Sequence, residues 1–196
     1  DNVTVQRATE RRVNQPYEVT SLASVATEDD LRNASIDYPA WVTERYLPLP
    51  ESVTDRTASL THSVTAGATN PFDKSKAIEA YLRATITYDR SVGVPTEGTD
   101  IVDHVLFEDQ RGFCEHYASA MTVMLRILGI PAKTVVGYYP GDWDDERQGY
   151  LYRQQNAHAW TEAFFPGYGW IRFEPTASQP ASVFDGQLET ATPEQE

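Results

Sequence analysis

The stretch that decides the fold runs from residue 111 to residue 120 and reads Arg-Gly-Phe-Cys-Glu-His-Tyr-Ala-Ser-Ala. Its cysteine, Cys114, is the only one in the 196-residue chain, so an internal disulfide and a zinc site of several thiolates are both excluded. From Cys114 to Leu128, apolar residues recur at spacings of three and four, which predicts an amphipathic helix. Gly129 and Pro131 end that helix. The single thiol therefore lies at the start of a predicted helix.

A thiol at a helix start differs chemically from a thiol in a core. Unpaired N–H groups and the helix dipole stabilise negative charge there, so the reactive thiolate is favoured. A lone cysteine is more often a buried structural residue. Cys114, however, is surrounded by Arg111, Gly112, Glu115 and His116 rather than by apolar residues. We therefore interpret Cys114 as a candidate nucleophile.

Two downstream residues could serve such a nucleophile as base and orienting acid. His158 lies between two alanines in a strand-like stretch, and Glu174 follows a second such stretch across a tight turn that begins at Pro166. Antiparallel pairing about that turn puts position 174 near position 160, roughly level with His158. Taken alone, the histidine would be a structural residue and the glutamate an exposed one. The cysteine makes a catalytic triad the preferred interpretation.

The order of the predicted elements, helices first and antiparallel strands second, indicates the α+β class. Helices are predicted over 51–66, 71–85, 100–106 and 114–128. Strands are predicted over 132–138, 149–153, 157–165 and 169–173.

The chain divides into three parts by composition. Residues 1–50 form an N-terminal extension with a possible strand over 17–25 and a linker that ends at Leu47-Pro48-Leu49-Pro50. Residues 51–177 form the core. Residues 178–196 are expected to be a flexible acidic tail. The first and last residues have the character of a piece of a longer protein.

The charge balance excludes several classes of partner. The chain has 16 Lys and Arg against 29 Asp and Glu, a net charge of −13 that repels nucleic acid and attracts basic amines, although solubility alone also explains it.

The chain carries no phosphate-binding glycine loop, dinucleotide motif or zinc-binding cysteine set, so we expect no cofactor and no metal. The acidic residues 142–146 lack the glycine and glutamate of an EF-hand loop, and a solvated loop is the preferred interpretation. No stretch is apolar enough to cross a bilayer.

Four ordered motifs carry a resemblance to a known family. They lie at 112–120, at 128–132 with 136–138, at 156–160 and at 169–176. Over roughly residues 70–177 they resemble the transglutaminase-like superfamily. The similarity is greatest to its bacterial branch, in which such a domain is the soluble part of a membrane-anchored protein.

The resemblance implies a papain-like cysteine-protease fold, in which the helix that begins with the cysteine packs on an antiparallel sheet. It implies that Cys114, His158 and Glu174 are nucleophile, base and orienting acid. The family usually has aspartate at the third position, and Glu174 is one methylene longer. It also implies an extracytoplasmic domain of a bacterial membrane protein.

Further residues are expected around such a site. An oxyanion would meet the backbone N–H of Cys114 and, as second donor, the Tyr88 hydroxyl or an indole N–H. His116 could tune the nucleophile or bind substrate, or it could be a surface residue of the first helical turn. The aromatic residues that could wall an amine channel, or simply pack in the core, are Trp160, Trp170, Tyr138 and Tyr139.

Three functions follow from this pattern. The first is acyl transfer from a protein or peptide glutamine to an amine, such as lysine, or to water. The second is a cysteine protease or amidohydrolase that uses the same residues. The third is a non-catalytic binding or scaffold module.

Overall fold

The computed structural model of the chain describes residues 24–93, 98–139 and 141–186. Helices come first and an antiparallel sheet follows, which confirms the predicted α+β class. The helices are α1 (Glu28–Arg32), α2 (Ala40–Tyr46), α3 (Asp55–Val64), α4 (Pro71–Thr85), α5 (Ile101–His104), which a π-helical turn (Val105–Asp109) extends, and α6 (Cys114–Ile127). The strands are β1 (Thr87–Tyr88), β2 (Arg111–Gly112), β3 (Ala132–Tyr138), β4 (Asp142–Asp144), β5 (Gly149–Leu151), β6 (Ala157–Phe165) and β7 (Gly169–Phe173).

Side-chain caps determine where two of the helices begin. Helix α4 starts where predicted, after Asn70, whose side chain accepts the N–H of Asp73 at 2.9 Å. The start predicted at residue 51 is wrong. The Thr54 hydroxyl accepts the N–H of Thr57 at 3.2 Å, and α3 begins after this cap.

The main sheet has the strand order β3-β6-β7, and both pairs are antiparallel. Thr161 lies opposite Phe173, so the register continues to position 174 opposite position 160, as the turn at Pro166 predicts. On the other side of β6, His158 lies opposite Gly137 of β3. The histidine thus stands on the central strand, beyond the last residue of β7.

The strand predictions are largely confirmed. Three strands have the predicted bounds: 132–138, 157–165 and 169–173. The strand predicted over 149–153 is shorter, because it pairs only with the three residues of β4. Strand β4 itself lies in the acidic stretch that the sequence predicts as a loop. Its Asp142 and Asp144 form ion pairs with Arg153 and Arg147 at 2.9 and 2.6 Å.

Helix α6 is the centre of the fold, because it packs on β3 and β6 and also against α4. Met121, Met124 and Leu125 of α6 are fully buried. The Thr161 hydroxyl donates to the Ala118 carbonyl at 3.0 Å and so joins β6 to the helix. Burial of each large apolar side chain contributes about 1.5–3 kcal/mol. The core therefore fixes α6 along its length and leaves its first residue, Cys114, half-buried at the tip.

Residues 24–50 pack on this core through α1 and α2. Leu31 of α1 and Val42 of α2 are fully buried. The Tyr46 ring contacts the Trp170 ring at 4.6 Å between centroids, and Trp41 contacts Phe164 at 5.9 Å. Most of the strand predicted over 17–25 lies outside the described residues, and residues 24 and 25 are not in a strand.

The first residues of the predicted tail also contact the core. The Phe184 ring lies 5.3 Å from the Phe72 ring and 5.5 Å from the Phe173 ring. Asp185 forms an isolated antiparallel bridge with Thr27, next to α1. The division of the chain at residues 50 and 177 stays a prediction.

None of the helices in the described ranges combines the length and the hydropathy that a membrane-spanning helix requires.

Replacement of Phe184 by alanine should destabilise the domain by about 1–3 kcal/mol, because two aromatic contacts and part of a phenyl ring's burial are lost. Chemical denaturation monitored by tryptophan fluorescence measures the change. The neighbouring Val183 is 66% exposed, so Val183→Ala is the control and should leave the free energy of unfolding unchanged. Equal effects of the two substitutions would contradict a packed Phe184.

Candidate active site

The tip of α6 is held by the short parallel pair β1–β2. The N–H of Asp89 donates to the Gly112 carbonyl at 2.8 Å, two residues before Cys114. Gly112 is buried, and a Cβ atom there would lie 2.7 Å from the Cβ atom of His116. Only glycine lets the chain enter the helix this close to its first turn.

His116 lies on that first turn and caps the helix. Its Nδ1 atom accepts the Phe113 N–H at 3.2 Å, and the two rings are in edge-to-face contact at 4.3 Å. Burial lowers the pKa of His116, against the opposing effect of Glu115 and Asp109, so the neutral ring remains available as an acceptor. The contacts of His116 therefore give it a capping role.

His158 lowers the pKa of the Cys114 thiol. The backbone N–H groups of Ala159 and Glu115 lower the pKa of the thiol as well. Burial raises the pKa of the thiol, but the effects of His158 and of the two backbone N–H groups outweigh burial, and the pKa is lowered from its ordinary value. The thiolate is thus stabilised from the strand and from the helix start.

His158 is buried, with its side chain 5% exposed, between the sulfur and a carboxylate. Its Nε2 atom lies 2.8 Å from Oε2 of Glu174, which leaves Nδ1 for the thiol. Burial lowers the pKa of His158, but the partners Cys114 and Glu174 raise it to about 9. The raised histidine pKa and the lowered thiol pKa together favour an imidazolium–thiolate pair.

The Glu174 side chain is 1% exposed and is surrounded by donors. Besides His158, the Tyr139 hydroxyl donates to Oε2 at 2.6 Å, and the Thr176 N–H donates to Oε1 at 3.0 Å. Arg172 Nη2 lies 3.4 Å from Oε2. Burial raises the pKa of this carboxyl, but the hydrogen bonds lower it to about 2. The glutamate therefore reaches the imidazole in spite of its extra methylene and stays ionised.

The structure brings together Cys114, His158 and Glu174, the three residues that the sequence selects. Tyr88 lies beside the tip of α6, opposite Gly112 in the β1–β2 pair, and is 38% exposed. Trp160 stacks near-parallel to the His158 ring at 6.4 Å between centroids. A Cβ atom on Gly137 would lie 2.7 Å from the Trp160 ring, so the glycine makes room for the indole.

Trp170 does not join this group. It pairs with Phe164 across the sheet and packs against Tyr46, and the Lys133 ammonium lies 4.1 Å from its ring centroid. Phe164 is six residues along β6 from His158, or about 20 Å at the rise of a strand. The expectation that Trp170 lines the site is therefore wrong, because its position along the sheet places it over α2.

The sequence does not predict several of the residues around Glu174. It offers Tyr139 as a channel wall or a core residue, whereas its hydroxyl donates to the carboxylate. Glu79 of α4 accepts the backbone N–H of Glu174, and Arg83 of α4 binds the Glu174 carbonyl. One signal in the sequence is the position of Glu79, a charged residue on the same helical face as the apolar residues of α4.

A cleft of about 220 Å³ lies beside the tip of α6. Phe113, Glu115, His116 and Ser119 line it from the helix side. These helical positions project from α6 about 100° or more away from Cys114, so the cleft neighbours the thiol without containing it. Among the described residues, no group of three or more His, Cys, Asp or Glu side chains could hold a metal ion.

Comparison with known proteins identifies the family of the chain. Residues 58–175, more than half of the chain, match the transglutaminase-like superfamily. The chain belongs to that superfamily. The papain-like α+β fold implied by the four motifs is thereby supported, with its single cysteine at the start of α6.

Two relatives with similar sequences are bacterial proteins. The chain is 38% identical over 182 residues to YebA of Bacillus subtilis (strain 168), a protein of uncharacterized function. It is 41% identical over 97 residues to a protein-glutamine gamma-glutamyltransferase of Pseudomonas aeruginosa. The crystal structure of the periplasmic domain of TgpA from Pseudomonas aeruginosa superposes with a TM-score of 0.62 at 32% identity and covers 71% of this chain and 48% of that one.

The matched regions are parts of longer relatives. The alignments cover 87% and 50% of this chain but only 24% of YebA and 14% of the Pseudomonas transferase.

The ionised Glu174 should make the free energy of unfolding of this transglutaminase-like domain depend on pH in the acidic range. Its pKa is about 2 in the fold against an ordinary 4.5, so its stabilisation is complete above about pH 4.5 and is lost as the pH falls towards 2. Urea unfolding of the parent and of Glu174→Gln should show a stability difference that shrinks over this range. A difference that stays constant would contradict a buried carboxylate anion.

His158 gives the opposite dependence at higher pH. Its pKa is about 9 in the fold against an ordinary 6.5, so its stabilisation is complete below about pH 6.5 and is lost as the pH rises towards 9. The lowered pKa of Cys114 opposes this slope, because the folded thiol releases its proton at a lower pH than the unfolded thiol.

Proposed function

We propose that this domain catalyses thiol-dependent acyl transfer from the side chain of a protein or peptide glutamine. Cys114 is the nucleophile, His158 the base and acid, and Glu174 the orienting carboxylate. The observation that carries the proposal is the 2.8 Å contact between His158 and a buried Glu174, in a site where His158 also lowers the pKa of the Cys114 thiol. The activity in the name of the Pseudomonas aeruginosa relative supports the choice of glutamine.

The first step is attack on the carboxamide. The Cys114 thiolate forms a bond to the carboxamide carbon of glutamine, and the carbonyl π electrons move to oxygen. The resulting oxyanion needs fixed donors. The backbone N–H of Cys114, at the start of α6, is the first donor. We assign the second donor to the hydroxyl of Tyr88, a residue that pairs with Gly112 just before the helix start.

The second step expels ammonia. The oxyanion collapses, the C–N bond breaks, and the His158 imidazolium gives its proton to the leaving nitrogen. A thioester on Cys114 and a neutral imidazole remain. Glu174 holds the ring through Nε2 in both protonation states, so Nδ1 stays directed at the reacting atoms.

The third step resolves the thioester. His158 removes a proton from an incoming amine or water, which attacks the thioester carbon and releases Cys114. A lysine amine gives a cross-link, and water gives a glutamate. The chain's net charge of −13 favours the approach of a cationic acceptor.

The similarity to a periplasmic domain suggests the cellular compartment in which this domain acts. We propose that it is the extracytoplasmic part of a membrane-anchored bacterial protein, since its similarity to the periplasmic domain of TgpA spans most of the chain. Protease treatment of intact spheroplasts that produce the full-length protein should degrade the domain. Protection of the domain until the membrane is lysed would contradict this location.

Product mass tests the acyl transfer itself. A glutamine peptide incubated with the domain and a primary amine should gain the mass of the amine less ammonia, and Cys114→Ala should abolish the reaction. A product heavier by about one dalton, also dependent on Cys114, would assign the domain to hydrolysis. No change with either acceptor would support a non-catalytic module and contradict the proposal.

The pH dependence of Cys114 alkylation by iodoacetamide tests the thiol–imidazole coupling. The parent should react at a pH below the range of an ordinary thiol, because the imidazolium stabilises the thiolate. In His158→Ala the midpoint should move to higher pH, by roughly one unit or more, since both the hydrogen bond and the charge are lost. His62→Ala, at an exposed histidine of α3, is the control. Coincident profiles for the parent and His158→Ala would rule out the coupling.

A further inference from the structure

Both polar backbone groups of Glu174 are bound by side chains of one helix. The Glu174 N–H donates to Glu79 Oε1 at 2.9 Å, and Arg83 Nη1 donates to the Glu174 carbonyl at 2.9 Å. The two side chains lie four residues apart in α4, on one helical face. Helix α4 therefore holds residue 174 on both sides of its Cα atom.

Arg83 extends the hold to the residues that follow. Its Nη1 also donates to the Thr176 carbonyl at 2.8 Å, and its Nη2 donates to the Gln179 carbonyl at 2.8 Å. Glu79 is 2% exposed and forms an ion pair with Lys76. Burying this carboxylate is costly unless it is bonded, and its bonds go to Lys76 and to the backbone of residue 174.

The need for this hold follows from the sheet. Strand β7 ends at Phe173, so residue 174 has no strand partner in the ladder that orders the preceding residues. Its N–H and carbonyl would otherwise be satisfied by water or by a mobile turn. The two α4 side chains replace the ladder at the residue that contacts His158.

The hydrogen bonds from α4 also determine which side-chain length fits at position 174. With its Cα atom set, the carboxylate of residue 174 must reach His158 Nε2, the Tyr139 hydroxyl and the Thr176 N–H together. Glutamate does so at 2.6–3.0 Å. Aspartate from the same Cα position would stop about one C–C bond, or about 1.5 Å, short. Helix α4 thus matches the backbone to a glutamate rather than to the family's usual aspartate.

Helix α4 also connects the two halves of the site. It packs against α6, which carries Cys114, and its buried Ile78 and Leu82 belong to the same hydrophobic core as Met121 and Leu125 of α6. The Glu174 carboxylate is therefore positioned by α4 and the Cys114 sulfur by α6, and these two helices pack on each other.

We propose that Glu79 and Arg83 are positioning residues that clamp the backbone of Glu174 and thereby set the reactivity of Cys114. This inference rests on the proposed function, since it takes Glu174 as the carboxylate that orients His158. When the clamp is loosened, the His158–Glu174 hydrogen bond weakens, the imidazolium is less stable, and the thiolate forms at higher pH.

The test compares Arg83→Met with Arg126→Met in the iodoacetamide profile. Arg126 is the matched control, because its guanidinium also bridges two backbone carbonyls, those of Ala132 and Pro48, at the far end of α6. Arg83→Met should raise the alkylation midpoint by about one pH unit, which lowers the thiolate fraction and the alkylation rate below that midpoint. It should lower kcat and leave KM within about twofold. Arg126→Met should lower the melting temperature without moving the midpoint.

A conservative variant keeps the test valid if Arg83→Met does not fold. Arg83→Lys keeps the charge but lacks the planar fork that reaches three carbonyls, so it should give a smaller shift in the same direction. An unmoved midpoint in a folded Arg83 variant overturns the clamp and leaves the proposed function standing. An ordinary thiol midpoint in the parent overturns the proposed function itself.

A double-mutant cycle tests the match to glutamate. Glu174→Asp should raise the midpoint in the parent background, and it should add much less in the Arg83→Lys background, where the backbone can move. Additive shifts would show that Arg83 and Glu174 act independently and would overturn the proposed match.

Discussion

The ionised carboxylate of Glu174 is almost entirely removed from water, and burying a charge is favourable only where donors replace the lost hydration. Three kinds of donor meet that requirement here: the His158 ring, the Tyr139 hydroxyl and the Thr176 N–H. Each comes from a different segment of the chain. The anion therefore forces the end of β3, the start of β6 and the segment after β7 to converge on one point.

The same anion governs the chemistry proposed for the site. It stabilises the protonated ring of His158, and the protonated ring stabilises the thiolate of Cys114. The start of α6 adds backbone N–H groups from the other direction. In the proposed mechanism, one buried charge and one helix end thus both favour the thiolate form of a thiol that is mostly protonated in an ordinary environment.

The sequence allows the centre of the site to be predicted because each element there is local. Helix periodicity places Cys114 at a helix start, and the turn that begins at Pro166 fixes the register of Glu174 against the strand of His158. The α+β order and the bounds of β3, β6 and β7 follow from the same short-range patterns. The family motifs at these positions agree with both.

The remainder depends on contacts between distant segments. Glu79 and Glu174 are separated by 95 residues, and nothing in their spacing indicates that one binds the backbone of the other. Trp170 is an aromatic residue in one of the family motifs and therefore looks like a site residue in the sequence. In the fold, Tyr46 of α2 packs against it, and the sequence does not predict α2. The cap at Thr54 moves the start of α3 in the same unforeseen way, because a hydroxyl competes with helical periodicity.

The bridge between Thr27 and Asp185 places the segment before α1 beside the segment after β7. Where two such flanking segments lie side by side, a domain can be joined to another protein without separating the two points of connection.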